Sequence, residues 1–496
     1  MVYAFALPTT SHLSFQASLS SSTHPSLPQA ASTARHALRL ALKAHRRLPR
    51  GPRQDAHLPA VLAALTEYLP YLFAISHGLS GRAVELSAAA EVDIALHAEI
   101  EAEWLPTLSE TGLSLKALAH SKGGRSGRIH GRGIDFEIVF VLATLGYVLA
   151  GLARSGVVTT LYAAVTPSAE QRTAAVQTAT RQLLQAASVH YLLSTFTDVG
   201  SSTTITTSTS TSSSGVPDVN PGTHSALSSL ALAEATLLAV LKDDSYVAAS
   251  IQARNPHDRE WMVRAPTIPK VRALLFARLC VRAAEYAEQA AAGLGAVGGG
   301  DADLVRYVRV LGRVARARAC RFFGIDAELA GKVGEAIAWL RAARGALGLP
   351  AGEADATTAT TTTNSKSKGF SKWKKEWAER REERRMDRDA GDKSKGELEP
   401  GDNAGRDEEV RVIEMLETKW VKMNDTINTQ IIPPSGPLLA NLPSGRDIHS
   451  PPGPYKPPLL DEDQLVRMRA PPEEDNIRPE SEDSEEEAVG EHSTYY

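Results

Sequence analysis

Residues 134–158 read IDFEIVFVLATLGYVLAGLARSGVV. Between Glu137 and Arg154 no side chain carries a charge. A run of this kind must be deeply buried, in a protein core or in a bilayer. A bilayer span takes roughly 20 apolar residues. The uncharged part here runs only from Ile138 to Ala153, contains Thr144, Gly146 and Gly151, and has no Lys/Arg cluster beside it. Glu137 and Arg154 would sit at the wrong depth. A helix that is apolar all round is buried on all sides. The stretch is therefore read as the central helix of a large all-α core, with an integral membrane protein using Ile134–Val158 as the alternative.

The chain of 496 residues exceeds the usual single-domain size. Low-complexity stretches shorten the part that can pack. One elongated helical domain is expected over residues 1–460, with disordered insertions at about 195–222 and 351–407 and an acidic disordered tail at 461–496. The net charge of −4 argues neither for nor against nucleic acid, and no nucleic-acid partner is expected. Cys280 and Cys320 both fall in helical patterns, which is no disulfide framework and suits a reducing cytosol. The opening MVYAFALPTTSHLSF has no positive n-region and an early Pro8, so it is not read as a signal peptide.

Before the central run, Val2 to Leu7 and His12 to Phe15 are expected as short extended pieces. Helical periodicity starts after Thr33 and ends in the basic cluster Lys43 to Arg50, closed by Gly51-Pro52. Leu58 to Leu79 is a second helix that Pro70 kinks or divides. Ala83 to Leu105 is expected as a third, ended by Pro106. Ser121 to Gly133 is a basic, glycine-rich loop; without a preceding strand or Walker spacing it reads as a surface loop.

After the central run, Pro167-Ser168 opens a helix over Ala169 to Leu193. The Ser/Thr run 201–214 has too little apolar surface to order itself. Helix returns at Ser225 to Leu241. Thr267-Ile268-Pro269 is a helix start, with Thr267 as N-cap, and the helix runs to about Ala292. Its apolar residues cover more than one face, with Arg272, Arg278 and Arg282 among them. A helix with one core face needs a narrower stripe, so part of this apolar surface is left for a partner. Gly293 to Gly298 matches G-x-G-x-x-G but follows a helix, which denies it dinucleotide-binding geometry. Leu304 to Phe323, ended by Gly324, and Asp326 to Leu347 complete a series of tetratricopeptide-like hairpins. Residues 372–385 form a mixed-charge solvated helix, and Asp407 to Asn428 the last helix. Beyond Pro433-Pro434 the chain is Pro-rich and ends in the acidic run Glu480 to Glu487.

No H-E-x-x-H, paired C-x-x-C, P-loop or nucleophile elbow occurs. The histidines lack metal-ligand spacing. Glu137, Glu234 and Glu335 lie singly among apolar neighbours and read as paired core carboxylates. No catalytic residue, cofactor or metal is expected, and the chain reads as a scaffold.

Four segments, in order, resemble signatures of the Bro-one domain family, the boomerang-shaped helical domain of Alix and its fungal relatives. Phe136 to Leu142 resembles the F-E-x-x-x-V-L-F helix, Leu232 to Ala235 the L-A-Q-A-Q-E segment, Lys332 to Leu340 the Y-G-E-x-I-A-x-L segment, and Asn424 to Pro433 the N-D-x-I-Y-x-x-x-V-P signature. Within the family, Phe5 to Thr10, Ser22 to Pro28, Tyr68 to Leu72 and Trp420 to Asp425 look most like its branch in fungal ambient-pH signalling. Asn428 departs from the family's usual Tyr.

The resemblance implies a non-enzymatic adaptor that binds the C-terminal amphipathic helix of the ESCRT-III filament subunit. Matching Ala283-Ala284-Glu285-Tyr286 to the family's A-A-D-Y puts two patch residues on Leu275 and Leu279, one helical turn apart. The preceding helix contributes Leu238 and Ala239, where the family often has an aromatic. Arg272, Arg278 and Arg282 are then placed to attract an acidic partner. The branch implies work with pH-signalling components towards proteolytic activation of the PacC transcription factor, in the cytoplasm, with recruitment to plasma-membrane cortex or endosomes through partners. A general endosomal sorting adaptor of the same fold is the nearest alternative.

Overall fold

A computed structural model describes residues 2–80, 92–108, 127–163, 165–196, 216–253, 266–297, 301–349 and 402–469. Its main helices are α1 (Leu27–Arg47), α2 (Leu58–Ser80), α3 (Ile134–Leu161), α4 (Ala169–Ser194), α5 (Pro221–Leu241), α6 (Ser245–Gln252), α7 (Lys270–Val297), α8 (Ala302–Leu329), α9 (Val333–Ala346) and α10 (Arg406–Met423). A π-helical turn, Asn424–Asn428, follows, then α11 (Ser435–Ala440) and α12 (Glu462–Met468). Long helices pack on their neighbours in the chain: α1 on α2, α2 on α3, α3 on α4, α4 on α5, α5 on α7, α7 on α8 and α8 on α9. This is the stacked-hairpin arrangement expected from the sequence.

α3 is the axis. Three helical stretches, Pro52–Ser80, Ile134–Leu161 and Pro221–Leu241, are long and apolar enough to cross a membrane by length and composition. In α3, 89% of the most apolar window lies inside the protein, so packing against α2 and α4 accounts for its character. Its Glu137 is fully buried and paired, as expected. It accepts from Arg35 Nε at 2.8 Å, Trp104 Nε1 at 2.8 Å and Tyr68 Oη at 3.2 Å. Glu335 is different: it lies half-buried at the surface, 3.4 Å from Lys332.

The region expected as a helix from Ala83 to Leu105 is instead partly strand. Strands β1 (Thr9–Thr10), β4 (Glu101–Leu105) and β5 (Ile129–Arg132) form one antiparallel sheet, and β2 (Leu19–Ser20) pairs with β3 (Ala95–Leu96). In β4, Ala102 and Trp104 are buried while Glu101 is exposed, the period-two pattern of a half-buried strand. The extended N-terminal pieces thus exist, but at Thr9–Thr10 and Leu19–Ser20, and α1 starts at Leu27, before Thr33. β5 ends the glycine-rich segment; residues 109–126 lie outside the described residues, as do 197–215, the mixed-charge stretch 372–385 and the acidic run 480–487.

Other boundaries move for local reasons. Ser168 does open α4: its Oγ accepts from the Gln171 N–H, and Gln171 Oε1 accepts from the Ser168 N–H. Pro70 sits inside an undivided α2. Thr267 does not cap α7; Pro269 accepts the first helical N–H groups. α7 runs through Gly293 and Gly295 to Val297. Gly324 does not end α8. A Cβ there would stand 3.1 Å from the Ala336 carbonyl oxygen and 3.3 Å from Trp420, so the glycine permits helix contact instead. The short α6 was not legible; Asp244 caps it from the Tyr246 and Val247 N–H groups.

Within the insertion expected at 195–222, residues 216–222 are folded: Pro217 and Asp218 are buried and Asp218 Oδ1 accepts from the Thr107 and Leu108 N–H groups. The insertion at 351–407 likewise gives way to α10 at Arg406. The tail expected from 461 does not hold for its first residues, since Leu465 and Met468 of α12 are buried; residues 470–496 lie outside the described residues.

The N-terminus is tied into the same core. Glu234 of α5, buried, accepts from the Tyr3 N–H at 2.8 Å and from Tyr307 Oη at 3.0 Å. Burial pushes its carboxyl up to about 7 despite these bonds. A raised folded pKa means the folded chain holds the extra proton between the unfolded value and 7, so the contribution is present in acid and is lost as pH rises through 7. Wild type should lose about 3 kcal/mol more than Glu234→Gln across that window. Denaturant unfolding of both proteins at a series of pH values measures the difference.

Candidate docking groove on the seventh helix

On α7, Leu275 and Leu279 share one face. Leu279, only 2% exposed, forms the floor of a groove of about 520 Å³, and half-buried Leu275 forms its wall. α4 supplies Val176, Thr180 and Leu184, a one-turn spacing that sets all three on one side. α5 supplies Ala239. The rim carries Arg181, Lys242 and Arg272 against one carboxylate, Asp243, which lies 3.1 Å from Arg272. Val271, 89% exposed, and Leu274 extend the apolar surface outside the groove.

The remaining wall comes from the Pro-rich segment after α11. Ile448 and His449 line the groove. The segment lies along α7: the Arg446 N–H donates to the Arg278 carbonyl, Arg278 Nε donates to the Ser444 carbonyl, and Arg282 Nε and Tyr286 Oη both donate to Asp447 Oδ1 at 2.7 Å. Gly445 is obligatory for this contact, because a Cβ there would stand 2.7 Å from the Arg282 backbone. Gly445→Val should lift the strap. Hydrogen exchange of the Arg446 N–H is then expected to accelerate at least about tenfold, with α3 unchanged.

Of the residues singled out in the sequence, the fold brings Leu275, Leu279, Ala239 and Arg272 to one groove. Leu238 is not among them: it is 1% exposed and lies in the core, one position out of register with the surface. Arg278 and Arg282 do not stand ready for a partner. Both hold the strap, and Arg282 also pairs with Glu285 at 2.8 Å and stacks on Tyr286. Sequence reasoning missed Ile448, His449 and the α4 face. The Val176-Thr180-Leu184 spacing was the available signal for α4; nothing local marks the strap.

Outside the groove, His190, His224, Cys280 and Cys320 are buried in the core. His190 and His224 stack with ring centroids 5.4 Å apart, and burial holds both imidazoles below their usual range. Cys280 and Cys320 are free and buried, and burial pushes both thiols up to about 12. Among the described residues no group of three or more potential metal-ligating side chains occurs.

The fold is that of the Bro1 domain. It superposes on the Bro1 domain of ALIX in complex with CHMP4C with a TM-score of 0.51 at 14% identity, covering 92% of this chain and 96% of that one. It superposes on ALIX in complex with the SIVmac239 PYKEVTEDL late domain with a TM-score of 0.52 at 15% identity, covering 94% of this chain and 51% of that one. No family model matches the sequence. The sequence is 58% identical over 504 residues to the pH-response regulator protein palC of Emericella nidulans, covering 98% of this chain and 95% of that protein. The chain belongs to the PalC family of Bro1-domain pH-response regulators.

Proposed function

We propose that this chain is a non-enzymatic adaptor in fungal ambient-pH signalling, and that its α7 groove takes the C-terminal amphipathic helix of the ESCRT-III filament subunit. The observation that carries this reading is the groove itself: an apolar floor on Leu279 and wall on Leu275 beneath a mainly cationic rim. An amphipathic helix laid into an apolar groove is a recurrent recognition mode. Its acidic side would meet Arg181, Lys242 and Arg272, which favours encounter more than final affinity. The relative's name supports the signalling context, and the ALIX complex with CHMP4C supports the kind of partner. The adaptor would work in the cytoplasm, drawn to the plasma-membrane cortex or endosomes by its partners, and would help assemble the components that lead to proteolytic activation of PacC. The protease would be another protein.

Titration of a fluorescent peptide of that C-terminal helix into the purified chain tests the reading. Saturable binding that unlabelled peptide competes away is expected; no binding would contradict it. Carbonate extraction of fungal membranes tests the association: release is expected for an adaptor, and retention in the pellet for an integral protein.

A further inference from the structure

Two basic segments that are far apart in sequence meet on one surface. Arg39, Lys43 and Arg47 lie at four-residue spacing, so they form a stripe on one face of α1. Arg128, just ahead of β5, joins them. Burial and then the charges of Arg39, Arg128 and Arg47 hold the Lys43 ammonium below its usual range. Like charges at this spacing destabilise a helix, yet among the described residues no carboxylate pairs with Arg39, Lys43 or Arg47. The nearest acid to Arg128 is Glu103 at 3.9 Å. Arg39 Nε and Arg128 Nη1 are covered from water and have no hydrogen-bond partner. Among the described residues, Arg39, Lys43 and Arg47 therefore face no carboxylate, and Arg128 has only the long pair with Glu103.

The same chain carries acceptors within reach. α12 is docked at the start of α1: Ser26 Oγ donates to the Met468 carbonyl at 3.5 Å, and the Arg469 charge is felt by His24. The described part of the chain therefore ends, at Arg469, beside the N-terminal end of α1. From Ser26 the stripe lies about 20–32 Å along the helix at 1.5 Å per residue. Glu480 follows Arg469 by a length of chain that spans up to about 37 Å when extended. Residues 480–487, ESEDSEEE, hold six carboxylates.

We propose that the acidic segment Glu480–Glu487 docks back on the basic stripe of Arg39, Lys43, Arg47 and Arg128. The contact is electrostatic, links the C-terminal segment to the first helix, and covers the stripe against other anions. Ser481 and Ser484 lie inside the acidic run, so phosphorylation there would strengthen it.

Lys43 is the one lysine of the stripe, which gives a direct test on the full chain. Zero-length carbodiimide coupling at low ionic strength, read by mass spectrometry on an equal mixture of normal and ¹⁵N-labelled chains, should yield an intrachain link from Lys43 to the peptide carrying Glu480–Glu487. The yield should fall at least about fivefold near 1 M salt, where the screening length is about 3 Å. It should fall as far in R39E/R47E with an unchanged circular dichroism spectrum. It should also fall in E485Q/E486Q/E487Q, which leaves the folded body untouched. Absence of the link in wild type, or equal yields in the variants, would overturn the proposal. Mixed-label links making up half of all links, the statistical 1:2:1 pattern of interchain coupling, would assign the stripe to a second copy and overturn it. So would sedimentation of wild type and the tail variant alike with phosphatidylserine vesicles in the absence of the Lys43 link.

Discussion

Replacing Glu137 by alanine should lower the free energy of unfolding by about 3–5 kcal/mol, the usual loss when one partner of a buried ion pair is removed. Glu137 and Arg35 are fully buried, and the two are joined through both carboxylate oxygens. Arg35 reaches on to Thr10 Oγ1 and the Ser11 carbonyl, and Trp104 and Tyr68 donate to the same carboxylate. One side chain on α3 thus fixes α1, α2, β1 and β4. Without it, the Arg35 guanidinium keeps only the neutral acceptors Thr10 and Ser11 and loses its counter-charge, while an indole N–H and a phenol are left in the core with no acceptor, each adding its own desolvation cost. Glu137→Gln keeps the shape and part of the hydrogen bonding, so it should cost less than the alanine. Denaturant unfolding of wild type and both variants gives the ordering. A loss below about 1 kcal/mol for the alanine would mean that the network is not what joins the sheet to the helices.

The second buried network makes the same point from the other end of the chain. Arg321 bridges Asp244 and Glu409, and Arg318 reaches the same glutamate at 3.1 Å. It ties the cap of α6 to α8 and α10, so an element too short to announce itself in the sequence is held by charges on two long ones.

What could be read from the sequence follows from the range of each interaction. α3 was legible because an uninterrupted apolar run has only one physical outcome, burial, and its neighbours supplied the cover. The α4 start was legible because Pro167-Ser168 marks a local boundary, and the pairing that fixes it, Ser168 with Gln171, is only three residues long. β4 was not, because EAEWL before a proline fits a helix end as well as a strand; only pairing with β1 and β5 decides. Gly324 was misread because a glycine serves equally as a terminator or as a close-approach site, and Trp420, which selects the second, comes far later in the chain. Arg278 and Arg282 looked like free cations for the same reason: their acceptors, Ser444 and Asp447, lie in a Pro-rich segment with no periodicity to mark a docking strap. Leu238 and Ala239 differ by one position, about a quarter-turn of helix, enough to send one into the core and the other into the groove.

Leu275→Asp tests the account most directly. Leu275 is half-buried in the groove wall, so an aspartate there is solvated in the free protein and folding should be preserved. Once a partner helix covers it, the charge is buried against apolar side chains without a partner, at a cost of several kcal/mol. Binding of the C-terminal helix of the ESCRT-III filament subunit to the full chain, measured by titration against wild type and Leu275→Asp, should weaken at least about a hundredfold, the equivalent of ~2.7 kcal/mol. Unchanged affinity in a variant with wild-type unfolding behaviour would place the partner elsewhere and contradict the assignment of this groove.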